Sequence, residues 1–495
     1  MKFVIKLFPE IMVKSDSVRR QITKILRSNL RSQFKRHAIS ADVQNRWDSL
    51  IVVLDPRHDD DESARRQALR ILTHTPGIGG SLEIEEFDFD TLHDAYQHVR
   101  DCYCKRLSGK TFCVRLKRTG RHDFNSHEAE IYMGGHLLQE TEARSVSLKQ
   151  PEVLVQAEIR NQKIHVVKKQ HRGLGGFPLG SQGEVLSLIS GGFDSTVSSY
   201  LMMRRGLKTH YCFFNLGGSA HEIGVKQVAH YLWSSYSESH RVKFVTVPFE
   251  DVVAEILRNV DTAQMGVVLK RMMLRAASQI ADSLNLPALV TGEAVAQVAS
   301  QTITNLAVID RVCDHMVLRP LASMDKQDII DIARRIGTET FAANMPEYCG
   351  VISVNPTIVG DRRKVDEAES TFDFSVLDRA LQAASYRRID EVLQGSESGL
   401  ETVDIINTPS LSDVVIDIRH PHEVDDAPLS LTNNIIIPLP FYDLEQRLAA
   451  IKKDHPDARF LLYCQKGTMS KIHAHHLNQN DQGRFAVYLD AYQVG

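Results

Sequence analysis

The feature that most constrains this chain is a pair of glycines between an apolar segment and a helix-like segment near its middle. Residues 185–189 are apolar apart from one serine, and Ser190-Gly191-Gly192-Phe193-Asp194-Ser195 follows them. Such a segment predicts a buried strand. Glycines let backbone N–H groups approach oxygen atoms closely, and a helix N-terminus favours negative charge. The run therefore predicts a strand, a turn and a helix that together bind a phosphate group.

Apolar strands and amphipathic helices alternate downstream of residue 183, which predicts a doubly wound parallel sheet with crossover helices. The predicted strands are 185–189, 209–215, 242–247 and 288–292. The predicted helices are 195–205, 221–235, 249–258, 266–284 and 326–336. A further helix is predicted over 376–393, and the glycine- and serine-rich run 395–399 marks a domain boundary.

Smaller units are predicted on both sides of this domain. A first α+β unit has strands at 2–7 and 49–54 around a helix at 18–34. A second has helices at 64–72 and 91–107 and strands at 111–116 and 164–168. The last, after residue 405, is a short α/β unit with buried strands at 413–418 and 460–463.

The charge is unevenly distributed although the net charge is only −3. Residues 1–40 contain ten Lys or Arg and two acids, whereas residues 401–495 contain thirteen acids and eight Lys or Arg. The basic helix face in the first unit is either a solvated surface or a phosphate-binding stripe. The basic turn that precedes Phe124 is either an ordinary turn or one whose aromatic ring stacks on a base. The basic end of the chain thus suggests a polyanionic partner.

No apolar run approaches the roughly 18 residues that a membrane span requires, and lysines interrupt the apolar N-terminus. We therefore expect no membrane partner and a cytoplasmic location. The seven cysteines are scattered and lack a Cys-x-x-Cys pair, so the spacing favours neither a disulfide framework nor a zinc site. We therefore predict no group of residues that binds a metal ion by itself.

The glycine loop lacks a Gly-Lys-[Ser/Thr] ending, which disfavours a Walker-type site. It resembles the loop of enzymes that release pyrophosphate and leave AMP on the substrate. In such enzymes Asp194 would act with magnesium or the substrate, and Lys326 would stabilise charge on the α-phosphate. The other residues that this resemblance implies as nucleotide contacts are Leu188, Ile189, Ser190, Gly191, Gly192, Phe193, Ser195, Lys270, Gly292 and Gln301.

Cys464 follows a predicted strand and begins the run Cys-Gln-Lys-Gly-Thr-Met-Ser. A loop of this kind directs backbone N–H groups at one sulfur and lowers its pKa. A cysteine phosphatase needs Arg at position 470, where this chain has Ser, so a persulfide carrier is favoured, with a buried structural cysteine as the alternative. Asp417-Ile418-Arg419 resembles a strand end of rhodanese domains. Cys349, in a turn, is inert on sequence alone and gains interest only as a resolving thiol for Cys464.

Several motifs follow one another along the chain: Lys110–Arg115 with His122–Phe124, Gly173–Gly180, the glycine loop, Pro346–Ser353 and the Cys464 loop. In this order they resemble the tRNA 4-thiouridine synthetase (ThiI) family along essentially the whole chain. The resemblance implies a multidomain α/β and α+β fold. Its domains would be a ferredoxin-like domain (1–60), a THUMP domain (61–170), a PP-loop pyrophosphatase domain (171–394) and a rhodanese-like domain (405–495).

The resemblance also implies a reaction, its cofactors ATP and Mg²⁺, and its partners. The first two domains would bind tRNA, ATP would adenylate O4 of uridine 8, and a Cys464 persulfide would supply sulfur while Cys349 closes a disulfide. The partners would be tRNA, a cysteine desulfurase and the sulfur-carrier protein of thiamine synthesis. Two alternatives stay open: ATP-dependent amidation or thiolation of a small metabolite, and a tRNA-binding scaffold with a degenerate nucleotide site.

Overall fold

The computed structural model describes all residues except 47–48, 59–60, 217, 344–355, 394–402, 420, 441–442, 465–466, 468–469, 472, 475–476, 479–480, 482 and 490–495. The chain divides into two compact units, Met1–Ser181 and Gln182–Gly495. Among the described residues, no helix has both the length and the apolar character needed to cross a bilayer.

The first unit contains one mixed sheet and five helices within its described residues. In chain order its elements are β1 (Lys2–Leu7), α1 (Pro9–Met12), α2 (Asp16–Arg36), β2 (Ala41–Asn45), β3 (Ser49–Leu54), α3 (Glu62–His74), β4 (Ile78–Asp88), α4 (Leu92–Leu107), β5 (Thr111–Thr119), α5 (Ser126–Glu140), β6 (Ser145–Val146), β7 (Val153–Arg160) and β8 (Lys163–Arg172). The strand order is β2-β3-β1-β4-β8-β7-β5-β6.

Strand β4 connects the two halves of this sheet. It pairs antiparallel with β1 on one side, where Phe3 lies opposite Glu83, and with β8 on the other, where Glu86 lies opposite His165. Helices α4 and α5 each begin at a capping box, Thr91 with Asp94 in α4. These caps satisfy N–H groups that a helix start leaves without partners.

The predicted boundary at residue 60 separates elements that pack together. Apolar residues of α2, such as Leu26 and Leu30, recur at helical spacing and are buried, and they share one core cluster with Ala68 and Leu72 of α3. Because α3 and the start of β4 close this core, β1-α2-β2-β3-α3-β4 is one βαββαβ unit. The packing therefore favours a division near residue 88.

The second unit begins with a six-stranded sheet. Its elements are β9 (Glu184–Leu188), α6 (Phe193–Arg204), β10 (Lys208–Asn215), α7 (Gly218–Tyr236), β11 (Lys243–Pro248), α8 (Glu250–Asn259), α9 (Met265–Leu284), β12 (Ala288–Val290), α10 (Ile303–Asp310), β13 (Met316–Leu318), α11 (Lys326–Arg335), α12 (Glu339–Ala343), α13 (Arg362–Ser370), α14 (Ser375–Gln382) and β14 (Ser385–Arg388). The order is β13-β12-β9-β10-β11-β14. The chain moves to opposite sides of β9, so a crevice opens at the carboxyl end of β9.

Two predictions about this sheet are wrong in detail. The sheet is not wholly parallel, because β14 pairs antiparallel with β11 at its edge. The helix predicted over 376–393 ends at Gln382, and Ser385–Arg388 form that edge strand instead. Pairing with the free edge of β11 outweighs the local helical pattern, since strand formation depends on the neighbouring strand.

A parallel five-stranded sheet follows in the C-terminal part. Its elements are β15 (Ile405–Ile406), β16 (Val414–Asp417), α15 (Pro421–Asp426), β17 (Ile435–Pro438), α16 (Leu444–Asp454), β18 (Phe460–Tyr463) and β19 (Phe485–Tyr488). The order is β15-β19-β18-β16-β17. Cys464 follows the carboxyl end of the central strand β18, as the sequence predicts. The glycine- and serine-rich boundary at 395–399 lies outside the described residues.

Candidate active site

The glycine loop forms a tight turn between β9 and α6. Gly191 has a φ of +84°, a conformation that disfavours any side chain, and Gly192 is the N-cap of α6. The backbone N–H of Ser190 donates to Ser195 Oγ (3.1 Å), which itself donates to the Gly192 carbonyl (3.3 Å). The Ser195 hydroxyl therefore links the loop to the first turn of α6. The first N–H groups of a helix have no acceptor within the helix, so they are available to a ligand.

Gly292, the second residue after β12, lies against this helix start. A Cβ atom at Gly292 would be 2.6 Å from the carbonyl carbon of Asp194 and 2.7 Å from the nitrogen of Ser195. Both contacts involve backbone, which cannot move without displacing the loop. Glycine at 292 thus allows the segment after β12 to lie directly against the first turn of α6.

The change Gly292→Ala is expected to displace the start of α6. Overpacking of this kind costs about 1–3 kcal/mol, so we expect a lower free energy of unfolding together with a raised KM for nucleotide. Denaturant unfolding and steady-state kinetics measure the two effects. The matched control is Gly135→Ala in α5, where an added Cβ has nothing within 4 Å. An unchanged KM in Gly292→Ala would contradict this account of the loop.

Asp194 and Lys326 form an ion pair at the mouth of the loop. Lys326, the first residue of α11, places Nζ 2.9 Å from Asp194 Oδ1 and 3.1 Å from Oδ2. Gln297 Nε2 donates to Asp194 Oδ2 at 2.9 Å. The lysine also lies over the Phe193 ring, 5.5 Å from its centroid. The pair sets a carboxylate and an ammonium side by side at the helix start where a phosphate would bind.

A second carboxylate, Glu293, holds Lys270. Lys270 Nζ is 2.8 Å from Glu293 Oε1, and Arg319 Nε is 2.8 Å from Glu293 Oε2. Arg319 in turn donates from Nη1 to Asp310 at 2.8 Å. Burial opposes ionisation of Glu293, but Lys270 and Arg319 outweigh burial and lower its pKa. Glu293 therefore stays ionised and fixes the position of the Lys270 ammonium group.

Replacing Glu293 by glutamine is expected to destabilise the protein by about 3 kcal/mol at neutral pH, because two cations would lose a buried counter-charge. Since the folded-state pKa is lowered, the contribution of Glu293 is fully present above its ordinary value of 4.5 and declines as the pH falls below that value. Unfolding free energies of the two proteins should therefore converge in acid. Glu339→Gln, which breaks a more exposed pair with Arg334, is the control. A difference that does not vary with pH would contradict this charge assignment.

A cavity of about 680 Å³ opens beside these groups. The predicted residues Leu188, Ile189, Ser190, Gly192, Phe193, Asp194, Ser195, Lys270, Gly292, Gln301 and Lys326 all line it. Its apolar wall includes Cys212, Phe214, Val267, Met273 and Ile309. Gln301 is nine-tenths buried, and its Oε1 has no hydrogen-bond partner among the described residues. An apolar wall with a few polar groups is the usual form of a small-molecule site.

Four polar residues of this site were not predicted from the sequence. Glu293 accepts from Lys270, and Gln297 donates to Asp194. Arg319 acts one step further away, through Glu293. His221 Nε2 donates to the Ser190 carbonyl at 3.2 Å. Burial lowers the pKa of His221, although the bond to Ser190 opposes the shift. Glu293 and Gln297 follow strand β12, Arg319 follows β13, and His221 lies in the first turn of α7, the helix after β10. All four are therefore close to the carboxyl ends of strands in one sheet. That shared position was the available signal.

Of the two cysteines predicted to react, the structure describes only Cys464. Cys349 lies outside the described residues. Cys464 is buried, and the backbone N–H of Ser470 donates to its Sγ at 3.4 Å. Gly467, at a φ of +72°, donates its N–H to the Cys464 carbonyl (3.1 Å). Gly467 and Ser470 therefore both donate to Cys464, Gly467 to its carbonyl and Ser470 to its sulfur.

Asp417 and Arg419 form a buried pair on the adjacent strand end. Arg419 Nη2 is 2.6 Å from Asp417 Oδ2, and Arg419 Nε is 2.9 Å from Oδ1. The guanidinium group also donates to the Ala427 carbonyl and lies over the ring of Tyr463, 4.9 Å from its centroid. Burial lowers the pKa of Arg419, but Asp417 outweighs burial and raises it. The pair holds the end of β16 against β18, next to Cys464.

Together, the largely parallel sheet, the glycine turn and the cavity at the strand ends define a nucleotide-binding α/β enzyme domain. Comparison with known proteins specifies it further. The family model "Thiamine biosynthesis protein (ThiI)" matches residues 180–374, and the THUMP domain model matches residues 88–167. The tRNA sulfurtransferase of Photobacterium profundum is 50% identical over 99% of this chain and 100% of its own length. That of Escherichia coli O139:H28 is 48% identical over the same shares. The chain therefore belongs to the tRNA sulfurtransferase family and is a sulfurtransferase enzyme.

Solved structures agree in fold. A 4-thiouridine synthetase in complex with RNA and bound ATP gives a TM-score of 0.68 at 22% identity, covering 78% of this chain and 99% of that one. PH1313 from Pyrococcus horikoshii Ot3 gives 0.52 at 18% identity, covering 68% of this chain and 100% of its own. The THUMP match begins at residue 88, which agrees with the division favoured by the packing of α3.

Proposed function

We propose that this chain uses ATP to activate O4 of uridine 8 in tRNA and replaces that oxygen with sulfur, giving 4-thiouridine. The observation that carries the proposal is the cavity beside the glycine loop, where the Asp194–Lys326 pair lies at a helix start, in a member of the tRNA sulfurtransferase family. The solved relative that contains RNA and ATP is named for the same product.

In this proposal the cavity binds ATP with its phosphates at the glycine loop. The N–H groups at the start of α6 bind the departing pyrophosphate, and Lys326 stabilises charge on the α-phosphate. Lys270 and Gln301 contact the nucleotide, and the Oε1 atom of Gln301 has hydrogen-bonding capacity left for it. Uridine O4 attacks the α-phosphorus, the bond to pyrophosphate breaks, and AMP remains on the base.

Magnesium fits the groups that are present. Mg²⁺ prefers one or two carboxylates together with substrate phosphates, and Asp194 offers a partly exposed carboxylate in the cavity. When bound, the ion would neutralise charge on the phosphates. Asp194 would hold it, because Glu293 is more buried and is paired with two cations, Lys270 and Arg319, whereas Asp194 is paired with one.

The sulfur would come from a persulfide on Cys464. Its outer sulfur bonds to C4 of the uridine and AMP leaves, either by direct attack or through released sulfide. In the direct route a disulfide then joins Cys464 Sγ to the sulfur on C4. The Cys349 thiolate attacks Cys464 Sγ, the bond between Sγ and that sulfur breaks, and 4-thiouridine is released as a Cys349–Cys464 disulfide forms. An external reductant then returns both thiols.

The remaining domains would supply the substrates. We interpret the βαββαβ unit as ferredoxin-like and the following part of the first unit as THUMP, both binding tRNA. A cavity of about 370 Å³ lined by Arg106, Lys110, Lys168 and Lys169 supports RNA binding there. The domain at 405–495 would be rhodanese-like, receiving sulfur from a cysteine desulfurase and passing it also to the thiamine sulfur-carrier protein. We place this chemistry in the cytoplasm.

Mass spectrometry of bulk tRNA from a deletion strain tests the proposal. Loss of 4-thiouridine, restored by the intact gene, is the expected result. Unchanged 4-thiouridine would favour amidation or thiolation of a small metabolite instead. A scaffold without catalysis predicts loss that an Asp194→Ala gene still restores.

A further inference from the structure

The side chain of Ser470 stands out in the C-terminal domain because its hydroxyl is buried without a partner. Ser470 is fully buried, and its backbone N–H donates to Cys464 Sγ at 3.4 Å. Its Oγ makes no hydrogen bond among the described residues. Buried polar atoms are almost always satisfied in native structures, so an exception near a reactive sulfur needs an explanation.

The geometry around Cys464 favours a partner that appears only during the reaction. Oγ is three covalent bonds from the nitrogen that contacts Sγ, so it lies in the neighbourhood of the sulfur. A sulfur–sulfur bond is about 2.05 Å long, so an outer sulfur on Cys464 would occupy the same neighbourhood as this hydroxyl.

We propose that Ser470 Oγ donates a hydrogen bond to the outer sulfur of a persulfide on Cys464, so that Ser470 is a positioning residue for the transferred sulfur. This inference rests on the proposed function, which makes Cys464 the carrier. The hydroxyl without a partner in the thiol form gains one when the sulfur is loaded. This role of the hydroxyl also explains why position 470 has serine, a small hydrogen-bond donor, where a cysteine phosphatase would require an arginine.

Loading requires no net oxidation. The Cys464 thiolate attacks the outer sulfur of an alkyl persulfide, and a new bond forms between Cys464 Sγ and that sulfur. The sulfur–sulfur bond of the donor breaks, and the donor leaves as a thiolate that takes up a proton. The persulfide anion on Cys464 then accepts hydrogen bonds from the backbone N–H and the hydroxyl of Ser470.

The test measures how long Cys464 keeps the sulfur. Purified full-length protein is loaded with glutathione persulfide, freed of donor and challenged with a thiol reductant. Alkylation and mass spectrometry then follow the Cys464 peptide that carries one extra sulfur atom. We expect Ser470→Ala and Ser470→Gly to lose the sulfur about fivefold faster than wild type, as one missing hydrogen bond predicts. The control Ser412→Ala removes an exposed hydroxyl of the same domain and should match wild type.

A second readout separates positioning from packing. Because Ser470→Ala removes a buried hydroxyl without a partner, the thermal midpoint of the thiol form should be unchanged or higher. Equal sulfur lifetimes in Ser470→Ala and wild type would overturn the proposal, as would a shorter lifetime accompanied by a lower thermal midpoint. Wild-type protein that takes up no sulfur at Cys464 would contradict the proposed function itself, and with it this inference.

Discussion

Replacing Asp194 by asparagine is expected to lower the rate of tRNA-dependent pyrophosphate release by a factor of about a hundred or more. The substitution keeps the size of the side chain and can still accept from Gln297, but it removes the charge that holds Lys326 at 2.9 Å. It also removes the carboxylate that we propose holds magnesium. Coupled detection of pyrophosphate, with ATP and tRNA both saturating, measures the effect on kcat.

Helix α11 itself provides the control for this prediction. Asp331 pairs with Arg334 at 3.1 Å on the exposed side of α11, the helix that begins with Lys326. Asp331→Asn removes an equal charge from the helix that carries Lys326, away from Asp194, and should leave pyrophosphate release unchanged. Full activity in Asp194→Asn would exclude Asp194 from the reaction and would favour a different role for the loop.

Replacing Cys464 by serine is expected to abolish sulfur transfer to tRNA while leaving pyrophosphate release intact. The hydroxyl group cannot form a persulfide, whereas the cavity that we propose for ATP is built from residues 188–357 and does not include Cys464. Thiolated tRNA is measured with a cysteine desulfurase and cysteine as the sulfur source. Pyrophosphate is measured in the same reaction.

Cys313 serves as the control for this second prediction. It is a partly buried free thiol near Ser278 and His315, outside the lining of the cavity. Cys313→Ser should therefore thiolate tRNA at the wild-type rate. Thiolation that persists in Cys464→Ser with the desulfurase would remove the persulfide from the scheme. Thiolation restored to Cys464→Ser only by added sulfide would favour the route through released sulfide.

The local patterns of the chain predicted most of its elements, because those elements depend on nearby residues. The strand before the glycine loop and the long helix α9 were predicted within one or two residues of their observed ends. Elements that depend on distant partners were not. Strand β14 exists because β11 presents a free edge, and α3 joins the first unit because its apolar face meets α2.

The same distinction applies to the site. The loop residues, Lys270 and Lys326 could be predicted because they occur in motifs or match family positions. The contacts of Glu293 and Gln297 could not, since they depend on side chains that three-dimensional packing brings together. A carboxylate that neutralises one lysine gives no local pattern in a sequence. Only the convergence of strand ends at one sheet edge relates these residues.

The most direct test of the account is 4-thiouridine formation by the purified chain. Unmodified tRNA is incubated with the protein, ATP, Mg²⁺, a cysteine desulfurase and cysteine, and the nucleosides are analysed by mass spectrometry. We predict one 4-thiouridine at position 8, formed only when ATP is present and accompanied by AMP and pyrophosphate. Sulfur incorporated without ATP cleavage, or at another position of the tRNA, would contradict the account.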